Sequence, residues 1–496
     1  MILAKSGMSV VVIDRATHPR FAIGESTTPA ADYLLHQLAT HYEIDQLLPL
    51  CRFGSWRESY PQLRCGCKRG FSYIWHGAGT DYLASSTHDY ELMVTANATM
   101  QVADTQWYRP DVDRFLFELA VQMGVMALES TDLISVRREP KNGRNRWMLD
   151  CQSSCGIQTL SADFVVDASG PCSRFMQFQS IVDLTSTLST DTSAIFTHIE
   201  NCRPALEWLE SRGAFIGEFP YPFDQAAVHH LFHDGWFWQI GFEGNLTSVG
   251  FVSRNRRNSS PGHANSHSTT NQSAYQTDSH RKWLKLLADR SVLKSILGDA
   301  TIAALPGRVV EAGRVQRLSS LAAGEDWAAL PFTVGFIDPL HSTGIAHSLS
   351  GIKRICDALL SPYQSARSQQ VIQYASDIIG EFRFMDQLIS GCYDALRDFR
   401  LFNCWTMLYF AAATTFERRH RAGEAPSFLL ARDHRFQSAL HQARILLDQI
   451  SSKPKLDDQM VESYQREIRD LIVPFNAVGL FQPQHHNMYW HTAAEK

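Results

Sequence analysis

The stretch ILAKSGMSVVVIDR, residues 2–15, decides the fold class. Val10, Val11, Val12 and Ile13 form a β-branched run of the kind that makes a strand buried on both faces of a parallel sheet. Ahead of it, Lys5 and Gly7 read as the last turn of a helix and its C′ residue. A helix end, a tight turn and a buried strand closed by an acid, Asp14, make the second half of a βαβ dinucleotide unit, in which the acid takes a ribose hydroxyl. The strand and Gly-rich turn that would cradle the pyrophosphate on a helix N-terminus fall, by this spacing, upstream of Met1.

Composition sets the frame around that unit. A mass of 56.0 kDa suggests roughly two to four structural units. Apolar residues at 44%, charged residues at 20% and a net charge of -5 describe an ordinary soluble chain without the basic face that nucleic acid requires. The cysteine spacings, Cys65-x-Cys67 and Cys151-x3-Cys155, make no zinc set, so no metal is expected and reduced thiols point to the cytoplasm. The longest apolar run, Leu401 to Phe416, carries Asn403, Thr406 and Thr414 and falls short of the ~20 residues of a spanning helix, so no integral membrane segment is expected. The start has no small-residue cleavage site, so a signal peptide is not expected.

Five further segments follow in order. HPRFAIGESTTP carries Arg20, Gly24, Glu25 and Ser26, with Pro29 opening a helical pattern; WYRPDVDRFLFELAVQMG carries Asp113 and Arg114. FVVDASGPCSRF carries Asp167, Ala168, Ser169 and Gly170, and DGWFWQIGF carries Trp236, Trp238 and Ile240. FIDPLHSTGIAHSLSG, residues 336–351, carries Asp338-Pro339 and His341-Ser342-Thr343-Gly344 before the helical spacing of Ile345, Leu349 and Ile352.

Taken together these segments resemble the flavin-dependent halogenases and the related geranylgeranyl-reductase-like flavoproteins. The resemblance implies an α/β fold of the glutathione-reductase type: a doubly wound FAD domain interrupted by a substrate-side sheet and followed by a helical region. The expected division is 1–55, 106–185 and 306–376 for the FAD-binding domain, with its first βα unit and Gly-rich turn missing relative to the family. Residues 56–105 and 186–305 make the substrate-side sheet, with a Ser- and Asn-rich disordered insertion at 253–280, and 377–496 make the helical C-terminal region, expected to shape a substrate lid. In that family FAD is the cofactor, and the resemblance assigns to it Asp14, Arg20, Gly24, Glu25, Ser26, Arg114, Asp167, Ala168, Ser169, Gly170, Asp338, Pro339, Gly344 and Ile345. Two departures stand out. Gly241 replaces the proline of the tryptophan signature, and Pro331-Phe332-Thr333 replaces the G-D-A whose Asp caps the ribityl chain.

The chemistry follows from residue type. A helix start offers unpaired N–H groups and about half a positive charge, so the amides near Thr343, Gly344 and Ile345 could face either the reduced flavin's N1–C2=O edge or a small anion, and the resemblance implies a halide at Thr343 and Gly344; the plain alternative is a helix capped by Ser342 or Thr343. Lys68, ahead of alternating Phe71, Tyr73 and Trp75, resembles the lysine that activates hypohalous acid in phenol- and pyrrole-type halogenases, against the alternative of an exposed lysine on a sheet edge. His341 could exchange a proton near neutral pH beside Ser342, and these two join Lys68 as candidate catalytic residues. Trp236 and Trp238 share one strand face and resemble the gate that favours halogenation over hydroxylation; paired tryptophans also serve as core.

The expected function is an FAD-dependent oxidoreductase of halogenase or monooxygenase type, acting with reduced flavin and dioxygen on an aromatic or electron-rich small molecule. No nicotinamide-binding unit is visible, so a separate flavin reductase is the expected partner. The competing readings are a geranylgeranyl-reductase-like alkene reductase and a non-catalytic, degenerate flavin-binding protein.

Overall fold

The structure, a computed structural model, describes residues 1–77, 82–141, 144–255 and 272–490. Its centre is a nine-stranded mixed sheet. Strand Thr192–Glu200 pairs with Leu246–Arg254, which pairs with the tryptophan strand Gly235–Phe242, and that with Ala226–Phe232, all antiparallel. Ala226–Phe232 then runs parallel to Gly70–Trp75, so chain segments far apart in sequence complete one sheet. The aromatic alternation expected at Phe71 and Tyr73 is realised, with the two rings stacked at 6.4 Å. A short antiparallel ladder, Cys65–Lys68 against Asp104–Trp107, leads into the sheet.

The cofactor-side elements are smaller. Helix Ile2–Lys5 ends as the sequence implies: Gly7 takes φ +85°, its amide bonds Ala4 O and the Met8 amide bonds Leu3 O, the paired pattern that satisfies a helix C-terminus. Strand Val11–Ile13 pairs in parallel with Met126–Leu128, and Val165–Asp167 with Trp327–Ala329. The expectation of burial on both faces does not hold for the first of these. Val11 and Val12 are each 39% exposed, because among the described residues this strand is hydrogen-bonded along one edge.

Two other boundaries differ. The helix expected to open at Asp113-Arg114 begins earlier, at Arg109, with Pro110 in its first turn, where a missing N–H costs nothing. Of the insertion expected at 253–280, residues 256–271 lie outside the described residues, and with them His263 and His267; Arg254 still belongs to a strand and 272–280 belong to helix Gln272–Asp289. Trp283 anchors that helix in the core, and Lys282 ties it to Glu311 at 2.8 Å.

The C-terminal region is helical, as Gln364–Ala395, Phe399–Arg421, His434–Ser451 and Asp458–Ile472. The apolar run becomes the buried helix Phe399–Arg421, whose Trp405 donates to Leu388 O at 2.7 Å. Gly391 makes room for that indole; a Cβ there would meet the ring at 2.0 Å. Among the described residues no helix is long and apolar enough to cross a membrane, and no group of His, Cys, Asp or Glu could hold a metal ion.

Candidate active site

Lys68 is fully buried, which excludes the exposed-edge reading. Its Nζ donates to Thr27 O at 2.7 Å and lies 4.1 Å from the centre of the Phe71 ring. Thr27 is itself fixed by strand Asp104–Trp107: its amide and hydroxyl donate to Thr105 O, and its hydroxyl accepts the Thr105 amide at 3.0 Å. The loop Gly24–Thr27 and the lysine are therefore held by one short ladder.

Around this ladder stand stacked rings. His229 lies on Tyr73 at 4.6 Å and beside Trp236 at 5.1 Å, and Trp236 stands 6.0 Å from Trp238. Burial, with a smaller contribution from Lys68, pushes His229 down to about 3. Both tryptophans are buried and both indoles are bonded, Trp236 to Tyr393 Oη at 2.9 Å and Trp238 to Ser248 Oγ at 3.1 Å.

The turn Asp338–Gly344 is the second wall. Asp338 is buried and accepts from neutral donors: the Leu340 amide at 3.0 Å, Tyr393 Oη at 2.9 Å and Thr192 Oγ1 at 3.3 Å. Burial pushes its carboxyl up to about 7. The Ser342 amide bonds Pro339 O at 3.0 Å, and Ser342 sits in the left-handed region at φ +52°. His341 is buried, stacked on Tyr409 at 3.9 Å with Nε2 3.0 Å from Thr406 Oγ1; burial, then His229, hold it well below the ordinary imidazole range.

Helix Gly344–Leu359 starts without a side-chain cap, and a Cβ added at Gly344 would meet nothing within 4 Å. Capping by Ser342 or Thr343 is therefore not observed. The first amides of a helix have no partner within it, and here they border a cavity of about 20 Å³ lined in part by Asp338, Thr343, Gly344 and His347, room for roughly one water-sized particle. His347 is structural: its Nε2 lies 2.8 Å from Glu381, which burial would raise but Arg354 holds down at about 2.

Residues 106–398, more than half of the chain, match the tryptophan halogenase family. The chain belongs to that family. It is 25% identical over 423 residues to monodechloroaminopyrrolnitrin halogenase PrnC of Pseudomonas fluorescens and 24% identical over 400 residues to tetracycline 7-halogenase of Kitasatospora aureofaciens. These matches cover 82% and 79% of this chain and 67% and 65% of those proteins, so the chain spans about two thirds of their length. Among solved structures, halogenase PltM in complex with phloroglucinol and FAD is 23% identical, with 99% of this chain and 96% of that chain covered and a TM-score of 0.78. The brominase Bmp2 is 16% identical, with 90% and 95% covered and a TM-score of 0.60. At these identities the likeness shows the fold, that of FAD-dependent halogenases.

A member of the tryptophan halogenase family is an FAD-dependent oxidoreductase, and this chain's residues fit the flavin. Ser26 Oγ and both polar atoms of the Gln106 amide are buried without a hydrogen-bond partner, beside the turn at Gly24, φ +95°. Orphaned donors and acceptors of this kind are costly unless a polar ligand meets them. Arg109 completes the edge: it pairs with Asp113 at 2.7 Å and donates to Gly24 O at 2.9 Å. Arg114, the arginine singled out from the sequence, instead points outward, 56% exposed and paired with Glu118.

The other predicted cofactor residues divide. Asp14 takes the Ala16 amide at 2.8 Å, and Arg20 sits between Asp14 and Asp113, 3.6 Å from each. Glu25 is buried and bonded to His198 Nε2 at 2.6 Å. Asp167 is satisfied within its own turn by the Ser169 amide and the hydroxyls of Ser169 and Ser173, while Ala168 and Ser169 are exposed. At the departure 331–333, Thr333 Oγ1 accepts the Gly170 amide at 3.0 Å, and Arg317, lowered to about 10 by burial, caps the carbonyls of Phe332 and Thr333. A bonded pair thus replaces the acid of G-D-A.

Sequence reasoning missed Arg109, Gln106, His198, Asp104 and Tyr393. Arg109 and Asp113 stand four apart on one helix face, a signal present in WYRPDVDR beside the motif that singled out Arg114. The others meet the site through long-range pairing, which no local spacing reveals.

Proposed function

We propose that this protein halogenates an electron-rich aromatic small molecule, using chloride or bromide, dioxygen and reduced FAD delivered by a separate flavin reductase. The observation that carries it is Lys68: a fully buried lysine held on Thr27 O and over the Phe71 ring, next to the loop with the orphaned polar groups. When bound, reduced FAD would supply two electrons that take dioxygen to the peroxide level, and that oxygen would oxidise halide to hypohalous acid with the second oxygen leaving as water. The amides of Thr343 and Gly344 hold the anion, and Ser342 fixes the bend that aims them. Lys68 donates a hydrogen bond to the halogen-bearing oxidant and orients it toward the ring. Trp236 and Trp238 bar the direct route from flavin to substrate. His341, kept neutral by burial and stacked on Tyr409 with Thr406 at its Nε2, stiffens the turn that carries the Thr343 and Gly344 amides.

The curated relatives named above are halogenases, which favours this chemistry over alkene reduction or a non-catalytic role. All ten cysteines are free thiols, in keeping with a cytoplasmic setting. The test is direct: purified protein, FAD, a flavin reductase with NADH, bromide or chloride, and a panel of phenols and pyrroles, read by the halogen isotope pattern in mass spectrometry. Halogenated products are expected; hydroxylated or unchanged substrates with FAD bound would overturn the proposal.

A further inference from the structure

Asp338 ends two hydrogen-bond chains. An indole N–H can only donate, so Tyr393 Oη accepts from Trp236 at 2.9 Å and turns its own proton to Asp338, 2.9 Å away. Gln316 Nε2 donates to Thr192 Oγ1 at 2.7 Å, which leaves the Thr192 proton for Asp338 at 3.3 Å. With the Leu340 amide on its other oxygen, the carboxyl receives three donors, all neutral. It is buried, and no cation is among the groups acting on it. A buried charge without a compensating partner is costly, and burial outweighs the three hydrogen bonds that favour the carboxylate.

The same carboxyl lines the cavity of about 20 Å³ at the start of helix Gly344–Leu359, with Thr343, Gly344 and His347. Two features of this cavity pull in opposite directions. Helix N-terminal amides favour an anion, whereas a carboxylate on the same wall repels it, and in a space for roughly one water-sized particle no solvent stands between them. A proton on Asp338 removes the repulsion and leaves an O–H donor in its place. We propose that halide enters this cavity together with a proton on Asp338, so that the turn takes up anion and proton as a neutral pair. The proposal rests on the halide reading of Thr343 and Gly344 given above. The other titratable groups around Asp338 stay neutral: Cys392 and Tyr393 on helix Gln364–Ala395, which burial and then Asp338 raise, and His341 on the turn, which burial lowers. His347 shares the cavity, but its Nε2 is engaged by Glu381, which also pairs with Arg354.

The test is bromide binding to the FAD-loaded protein at constant ionic strength, followed by flavin fluorescence and by calorimetry from about pH 5 to about pH 9, with proton uptake read from buffers of different ionisation enthalpy. The apparent Kd is expected to hold steady on the acid side and to rise about tenfold per pH unit on the alkaline side, with about one proton taken up per bromide there. Asp338→Asn, which cannot ionise, is expected to bind bromide equally across the range. A flat profile in the wild type overturns the proton link and leaves the halide site standing, whereas bromide bound at no pH overturns the halide reading itself. The same alkaline loss in Asp338→Asn places the proton on another group, such as His347, and overturns the assignment to Asp338. Should Asp338→Asn fold poorly, Tyr393→Phe and Thr192→Val decide. Each takes a donor from the carboxylate and so favours the acid, which is expected to carry the alkaline limb to higher pH; a limb that stays in place in both overturns the proposal.

Discussion

Lys68 and Asp338 are both buried charges at the candidate site, and the molecule handles them in opposite ways. Lys68 is held on the Thr27 carbonyl and over the face of the Phe71 ring, opposite Asp104 in the ladder. Asp338 is surrounded by neutral donors and burial moves it from 3.8 up to about 7, a setting that lets it shed charge at neutral pH and below. The difference matters for the anion turn. A halide at the Thr343 and Gly344 amides would share their cavity with Asp338, and a protonated carboxyl there does not repel it.

The contrast can be broken most forcefully at Asp338. Because its folded value is raised, its contribution to stability is complete below about pH 4 and is lost as pH rises through about 7. Asp338→Asn, which cannot ionise, is expected to flatten the fall in Tm between pH 5 and pH 8, a difference on the order of a few kcal/mol. An unchanged slope in melting experiments would mean that Asp338 is not the group responsible. Tyr393→Phe is the next largest effect. It strips a hydrogen bond from both Trp236 and Asp338, and chemical denaturation should report a loss of roughly 1–3 kcal/mol.

The smallest expected effect sharpens the flavin edge. Arg109→Ala should weaken FAD binding about tenfold, the loss of one charge-assisted contact, whereas Arg114→Ala should leave FAD titrations unchanged. Equal effects from the two arginines would contradict the placement of Arg109 beside Gly24.

Much of this was legible in the sequence because it is local. The helix end at Lys5 and Gly7, the aromatic alternation from Phe71, the paired tryptophans and the turn at Asp338 each declare themselves within a few residues. The exposure of Val11 and Val12 was not legible, since burial of a parallel strand depends on neighbours distant in the chain. Nor was the register that sets Lys68 opposite Asp104, or the bond of Glu25 to His198. These residues lie 36 and 173 positions apart, and only the assembled ladder and sheet bring them together. Arg114 was singled out because it stands in the V-D-R-like motif, and the helix start at Arg109 decides that Arg109 is the one that faces the loop.

The central claim is that the buried lysine serves halogen transfer, and one comparison tests it most directly. Wild-type protein and Lys68→Ala are given FAD, a flavin reductase with NADH, bromide, dioxygen and a reactive phenol, and brominated product is quantified alongside consumption of reduced flavin. The expected result is brominated phenol from wild type and at least about a hundredfold less from Lys68→Ala, with reduced flavin consumed by both. Equal bromination by the two proteins would contradict the account.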